Sequence, residues 1–437
     1  MEAILASADN AQAPQLPGNL NYALDPQGTF ITGRSEVQSF ALVQHASPAG
    51  VKSITLNLAS PNTFCDPKSV LLSFNLKNDD AANPIQPATA GCHCLFSSLV
   101  IRMSGQEVER ITDYGRICEL FTKLSYSPKK RRELAQIGFG TTAVGTAYPD
   151  DNAAHVPAQI AAGDIQRCFM RFDLAAVLSQ PKLIPLWALG GGSGLQLILT
   201  LAPAADAVVT GAGKSSQYHL EDIRCLWDEV QLQADLQESF LSSMLQGSQI
   251  RMHLRAYEVH TNYLDSGTAG SFNISIQRSY TRLAAIAVCF SQTQADTEAS
   301  ATNAKLCNVH YFPTASKATA EYFVQIGGHR VPQQNVVGTK ESFYRAMRAM
   351  GIGDSLAHTG SVSMADYESN CHAIFVDFEK AGEGLISTGE NLSAGSVLQI
   401  HFKNSGTDAA TVPRIVNTVC IFERLVEIAD TEVRVFE

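Results

Sequence analysis

Charge is scarce in this chain. Only 17% of its 437 residues are Asp, Glu, Lys or Arg, against roughly 25% in ordinary soluble domains, while 45% are hydrophobic. That balance excludes an intrinsically disordered chain, whose composition is polar and strongly charged. Long apolar runs are missing as well: none approaches the roughly 18 residues that a membrane-spanning helix requires. An excess of positive charge is also absent. The 32 Lys and Arg against 42 Asp and Glu leave a net charge of −10, which argues against a nucleic-acid coat or a polyanion-binding surface as a global property and leaves room only for local basic patches.

The N-terminal MEAILASADN has an acid at its second position and no apolar stretch of signal-peptide length, so no secretory signal is read. The ten cysteines stand singly, mostly inside apolar stretches (Cys168, Cys225, Cys289, Cys371, Cys420), as buried thiols do and a disulfide framework does not. Synthesis in a reducing, cytosol-like compartment is expected.

Catalytic signatures are equally thin. The eleven histidines include no His-x-His pair, the arrangement by which two imidazoles on one face of a strand hold a metal in a cupin barrel. His253 and His260 are too far apart for that pairing, and the Cys92-His93-Cys94 triplet has no partner pair, so it reads as strand core with a surface imidazole. Gly211-Ala-Gly-Lys214-Ser215 resembles the end of a phosphate loop, but Val208 stands where the first glycine is required. Gly190-Gly-Gly-Ser193-Gly194 lacks nucleophile-elbow spacing and reads as a turn into a strand. Asp151, Asp164, Asp173 and Asp228 show no paired-acid spacing. No enzyme activity, cofactor or metal is expected. The one strong charge run, Lys129, Lys130, Arg131 and Arg132, reads as a solvated helix start, with a nuclear-import signal or an interior- or anion-facing patch as the alternatives. Two glycosylation sequons, Asn273-Ile-Ser275 and Asn391-Leu-Ser393, carry little weight without a secretory signal.

At roughly 150 residues per domain the length allows two or three domains, or two large all-β ones. Residues 1–30 are rich in Ala, Asn, Gln and Pro without periodicity and read as an arm. From Val51 onward, short alternating runs bounded by Gly, Pro, Asn and Asp predict strands: Val51–Leu58, Ser69–Lys77, Leu95–Met103, Arg167–Leu174, Leu195–Leu201 and Asp222–Leu232. Helices are expected near Tyr114–Leu124, Asp235–Leu245 and Lys340–Met350.

The chain also repeats itself, in order, at an offset of about 200 residues. RCFMRFDL at Arg167–Leu174 corresponds to HAIFVDFEK at His372–Lys380, GLQLILTLAP at Gly194–Pro203 to SVLQIHFKN at Ser396–Asn404, and IRCLWDEVQL at Ile223–Leu232 to VCIFERLVEI at Val419–Ile428. VKSITLNL at Val51–Leu58 is matched in the same way with IRMHLRAYEV at Ile250–Val259. A repeated unit of that length with long, variable connections suits a jelly roll, in which two Greek keys cover the sheet edges. The expected fold is therefore all-β: two tandem eight-stranded jelly rolls, 31–233 and 247–437, joined by a linker helix at 234–246, with a few short helices in loops.

Several stretches carry a resemblance to a known family. They are DPKSVLLSFNLKN at Asp66–Asn78, GQEVERITDYGRICELF at Gly105–Phe121, the long segment Arg171–Leu201, VQIGGHRVPQQNVVGTKESFYRAM at Val324–Met347 and Phe375–Phe402. In this order the chain resembles the double jelly-roll major capsid proteins of DNA viruses, most closely those of polinton-like viruses and virophages, with adenovirus hexon more distant. The resemblance implies a structural protein that forms a homotrimer and builds an icosahedral shell. Its implied partners are neighbouring capsomers, penton proteins and minor or cement proteins, with an internal membrane at the inner end. It implies no sequence-specific nucleic-acid binding, and it implies residence in the virion after synthesis in the host cytoplasm and assembly there, in the nucleus or in a viral factory. Two similar sandwiches in one chain also let a trimer present six similar blocks to a hexagonal lattice. Phe172 with Phe378, and Trp227 with Phe422, are candidate equivalent core positions. Pro185 and Trp187 are candidates for fixing a loop against a neighbouring subunit or the other jelly roll. The alternative from another class is a tandem jelly-roll carbohydrate- or receptor-binding protein, which calls for an exposed aromatic platform that two tryptophans supply poorly.

Overall fold

Period-two alternation writes the strands. In Ser53–Leu58 the residues Ile54, Leu56 and Leu58 are fully buried, and in Leu195–Leu201 so are Leu195, Leu197 and Leu199, while Thr55, Asn57, Gln196 and Thr200 between them are not. The two segments pair antiparallel with Leu195 opposite Leu58 and Leu197 opposite Leu56. Their leucines therefore share one layer, each contributing about 1.5–3 kcal/mol by leaving water.

The computed structural model describes residues 30–88, 90–143, 155–190, 194–211, 213–264, 271–291, 319–350, 362–364, 367–368, 372–379, 389–392, 396–403, 415–429 and 432–437. The first unit is built from β1 (Ile31–Phe40), β2 (Ser53–Leu58), β3 (Leu71–Asn78), β4 (Phe96–Met103), β5 (Gln106–Thr112), β6 (Ile165–Arg171), β7 (Leu195–Leu201) and β8 (Tyr218–Leu232). Strand β1 pairs with β8, β2 with β7, β3 with β6 and β4 with β5, all antiparallel. This is a long hairpin rolled on itself. Lateral pairing of β8 with β3 and of β7 with β4 completes two facing sheets, ordered β1-β8-β3-β6 and β2-β7-β4-β5, the layout of a jelly roll.

The second unit repeats the scheme with β9 (Ile250–Tyr263), β10 (Phe272–Ile276), β11 (Leu283–Ser291), β12 (Glu321–Ile326), β13 (His329–Val337), β14 (Ala373–Asp377), β15 (Leu398–Lys403) and β16 (Ile415–Ala429). Its sheets run β9-β16-β11-β14 and β10-β15-β12-β13. Helix α1 (Tyr114–Ser125) follows β5, and α2 (Pro128–Gln136) follows α1. Helix α3 (Ala234–Leu245) lies between the two units in the chain, and α4 (Gly338–Ala349) follows β13 as α1 follows β5. The fold is thus two jelly rolls in tandem with short helices in their connections.

Three of the repeats seen in the sequence occupy matching places: β6 with β14, β7 with β15 and β8 with β16. The fourth does not. Val51–Leu58 lies on β2, whereas the segment from Ile250 is β9, the counterpart of β1; the true counterpart of β2 is β10. Alternation has the same period in every strand, so a single strand matched by pattern alone carries no address in the sheet. Strand β1 itself, ITGRSEVQSF, escapes a hydrophobicity reading because it is an edge strand with no fully buried residue. Of the N-terminal arm, only Phe30 falls within the described residues.

Candidate assembly surfaces

The two jelly rolls meet along a seam that the first unit makes with the end of β5 and with α1. On the other side stands the outer face of the β9-β16-β11-β14 sheet. Phe121 of α1 sets its ring edge-on to Tyr257 of β9, centroids 5.6 Å apart, and to Phe375 of β14 at 6.2 Å. Thr112, which ends β5, donates its hydroxyl to the Val259 carbonyl at 3.3 Å. Asp113 sits where a helix cap belongs, yet it makes no side-chain cap bond to α1; its Oδ2 accepts from the Thr261 hydroxyl of β9 at 3.4 Å. Further along, Lys182 Nζ donates to the Arg251 carbonyl at 3.1 Å.

Covering this sheet changes its sequence pattern. In β16 the stretch from Ile415 to Phe422 is buried at every residue, and in β14 the stretch from Ala373 to Val376 likewise. A sheet buried on both faces reads as a continuous apolar run instead of an alternating one.

One charged cluster lies in the seam. Glu109 of β5 is 1% exposed, and its carboxylate oxygens accept from the backbone N–H groups of Ala176 at 2.9 Å and Val177 at 3.3 Å. Those donors belong to a short helical turn at Ala176–Ser179, so Glu109 satisfies the free N–H groups at its start. Burial pushes the Glu109 carboxyl up to about 7, against the pull of these N–H groups and of Arg424. Arg424 comes from β16 and donates to the Val108 carbonyl of β5 and to the Glu437 carboxylate. Neither residue was singled out in the sequence. For Arg424 the signal was a charge set inside an apolar run, CIFERLV, which a strand buried on both sides carries only when the charge is paired; Glu109 stands in the charged stretch EVERIT, where one more acid gives no signal.

The residues singled out in the sequence divide among three places. Phe172 and Phe378 each directly follow β6 and β14, at 5% and 3% exposure. Trp227 stands opposite Val37 of β1, and Phe422 opposite Ala256 of β9; both rings are buried. Pro185 pairs with Phe64 in a short ladder, and the half-buried Trp187 packs edge-on to Phe64 at 6.0 Å. Phe64 in turn meets Phe240 of α3 at 6.2 Å, so this connection touches the linker helix.

The basic run opens α2, where Pro128 takes the first turn and Ser127 caps it by accepting from the Lys130 N–H at 3.3 Å. Lys130 is exposed, with Nζ 4.0 Å from the centroid of the Tyr126 ring, and Arg131 and Arg132 line a cleft of about 170 Å³ together with His93, Glu119, Tyr126 and Asp173. The side chain of Lys129 lies outside the described residues. The run is therefore split between solvent and a cleft that also holds acids. Cys92, on the same cleft, and Cys94 are buried, and both thiols are raised, Cys92 by its contact with Cys168 and by burial, Cys94 by burial. His93 Nε2 lies 3.0 Å from the Arg171 carbonyl.

Neither tryptophan is exposed. The half-buried Phe323 of β12 has His401 of neighbouring β15 stacked on it at 4.5 Å and Arg330 of β13, on the other side of β12, over it at 3.7 Å. Both flanking strands thus spend a side chain on this ring. Among the described residues no helix is long and apolar enough to cross a membrane.

No family model matches the sequence, and no curated protein does. Solved structures do. The Faustovirus major capsid protein superposes with a TM-score of 0.65 at 8% identity, over 97% of this chain and 94% of that one. The chain shares its double jelly roll with viral capsid proteins. A chain of the PBCV-1 virus capsid gives 0.61 at 11% identity, covering 93% and 96%, and the mavirus major capsid protein gives 0.55 at 11%, covering 97% and 95%. At these identities the likeness is one of fold, and it extends over both units and their connection.

Proposed function

We propose that this chain is the major capsid protein of an icosahedral DNA virus, a structural protein that acts by self-assembly. The observation that carries the reading is the fusion of two complete jelly rolls along one seam, in an arrangement that matches viral capsid chains over nearly the full length of both partners. In this reading residues 31–233 and 247–437 are the two building blocks, 234–246 links them, and Phe172, Phe378, Trp227 and Phe422 act as equivalent core positions. Three chains form a capsomer with six similar blocks, and capsomers tile the shell with one another and with penton and minor proteins. The low charge content supports this, because lateral faces that are buried on assembly exclude charge at their centres.

The test is the solution mass of the purified protein by light scattering, followed by negative-stain imaging. A mass near three times 47.1 kDa, roughly 140 kDa for a closed threefold ring, with pseudo-hexagonal particles is the expected result. A single-chain mass at every concentration, combined with binding on a glycan array, would sink the reading in favour of a carbohydrate-binding protein.

A further inference from the structure

Two clefts meet over the last turn of α1. The smaller, the cleft of about 170 Å³ described above, is walled by α1, α2 and the end of β6. The larger, of about 390 Å³, runs from there to the seam, where Phe121 and Tyr257 line it. Thr122, Tyr126, Arg171 and Asp173 belong to both clefts, so the two form one trough.

The two ends of the trough differ in chemistry. Leu134, Ile137, Phe139, Phe169 and Met170 give the small cleft an apolar lining, and its size is comparable to the apolar cavities of about 150 Å³ that take a benzene molecule. The larger cleft brings the hydroxyls of Ser125 and Ser179 and the cations Lys68 and Arg171. Both cations are exposed, and neither makes an ion pair among the described residues. In a chain of net charge −10, the small cleft also gathers Lys123, Arg131, Arg132 and Arg171 against Glu119 and Asp173. Lys123 and Glu119 offset each other at 2.5 Å, so arginine outweighs acid in what remains.

The walls are held in place. The Phe169 N–H donates to the Ile137 carbonyl at 2.8 Å and fixes the end of α2 on β6. The Tyr114 hydroxyl donates to the Asp173 carbonyl at 2.9 Å. Leu174, which lines the larger cleft, has a φ of +65°, a left-handed conformation that a residue other than glycine keeps only where its surroundings enforce it. A pre-formed concavity with an apolar body and a few convergent polar groups is the usual form of a small-ligand site.

We infer that this trough binds a single-chain anionic amphiphile, a medium-chain fatty acid, with its hydrocarbon chain in the apolar cleft and its carboxylate beside Arg171 and Lys68. The apolar end selects the tail, the cations select the sign of the head, and the run from one cleft into the other selects an elongated molecule over a compact one. The head lies near Phe121 and Tyr257, so the bound acid touches both jelly rolls and stabilises the folded chain by mass action. The site is complete within one chain, and the inference goes beyond the capsid reading without depending on it.

The experiment titrates decanoate, below its micelle-forming concentration, into the full chain by isothermal calorimetry. Decyltrimethylammonium, decyl maltoside and inorganic phosphate are titrated in parallel. One decanoate bound per chain is expected, with a raised thermal midpoint and much weaker binding of the other three. Arg171→Glu, at an exposed position, is expected to weaken decanoate about tenfold or more, the scale of a lost hydrogen bond to a charged group. Ala135→Phe places a ring in the apolar cleft, which Ala135 lines, and is expected to abolish binding; circular dichroism checks that both variants fold. Absence of decanoate binding overturns the inference. Equal binding of decyltrimethylammonium or decyl maltoside overturns it in favour of an apolar surface that does not read the head. Phosphate bound as tightly as decanoate overturns it in favour of an anion site without a tail pocket. A folded variant of either kind that binds decanoate like the wild type places the ligand elsewhere and overturns it too. Should Ala135→Phe fail to fold, Arg171→Glu alone decides. The solution mass, which tests the capsid reading, is read separately from all of these outcomes.

Discussion

Phe121 and Tyr257, one from each jelly roll, meet edge to face with centroids 5.6 Å apart. Edge-to-face packing sets the positive rim of one ring against the negative face of the other, and Phe121 is 9% exposed. The two units are therefore expected to unfold as one. Phe121→Ala should cost about 3–5 kcal/mol, as for a large aromatic removed from a packed core. It should also split a single denaturation transition into two, because the lost contact lies between the units. Calorimetry decides this: one transition displaced to lower temperature would show that the seam is held chiefly by its other contacts.

Glu109 makes stability depend on pH. In the folded chain burial holds its carboxyl at about 7, above its ordinary value of 4.5. The folded state thus keeps a proton that the unfolded chain releases. The associated stability is fully present below about pH 4.5, declines as the pH rises and is gone above about 7, a change on the order of 3 kcal/mol. Glu109→Gln cannot ionise, so its urea midpoint should vary less between pH 5 and 7 than that of the wild type. Equal slopes for the two proteins would count against the assignment.

Gly194 admits no side chain. Its φ is +52°, and a Cβ there would lie 2.3 Å from the Leu58 carbonyl oxygen, at the entrance to the β2–β7 pair. Gly194→Ala combines left-handed strain with a backbone clash, each costing about 1–3 kcal/mol. The expected outcome is a marked fall in thermal midpoint; an unchanged midpoint would mean that the turn has room to rearrange.

The eight described cysteines are all buried, and burial raises the Cys289 and Cys420 thiols to about 12. Thiolates are the reactive species, so maleimide at neutral pH should leave these eight unmodified in the native protein and label them in urea. Peptide mass mapping reads this directly. Rapid native labelling of any of the eight would reveal an opening of its sheet.

Much of the fold was legible in the sequence because it depends on local pattern. Alternation placed β2, β3, β4 and β7, the repeat aligned β6 with β14 and β8 with β16, and apolar residues three and four apart placed α4. The candidate core positions were picked by the same pattern: Phe172 directly follows β6, Trp227 lies on β8, and both side chains are buried. Strand β1 was not legible, since an edge strand that faces water has no apolar signature. The mistaken match of Val51–Leu58 with the segment at Ile250 has a related cause, because any two strands share a period of two.

What the sequence determined by itself was the class of the fold: two copies of an eight-stranded sandwich, low in charge. The tertiary structure alone decided how those copies are joined. Phe121 finds Tyr257, and Arg424 finds the Val108 carbonyl, across long stretches of chain, through contacts that have no periodicity and no motif. A pattern along the chain reports which face of a strand avoids water, whereas the identity of what covers that face depends on where the other unit lies in space.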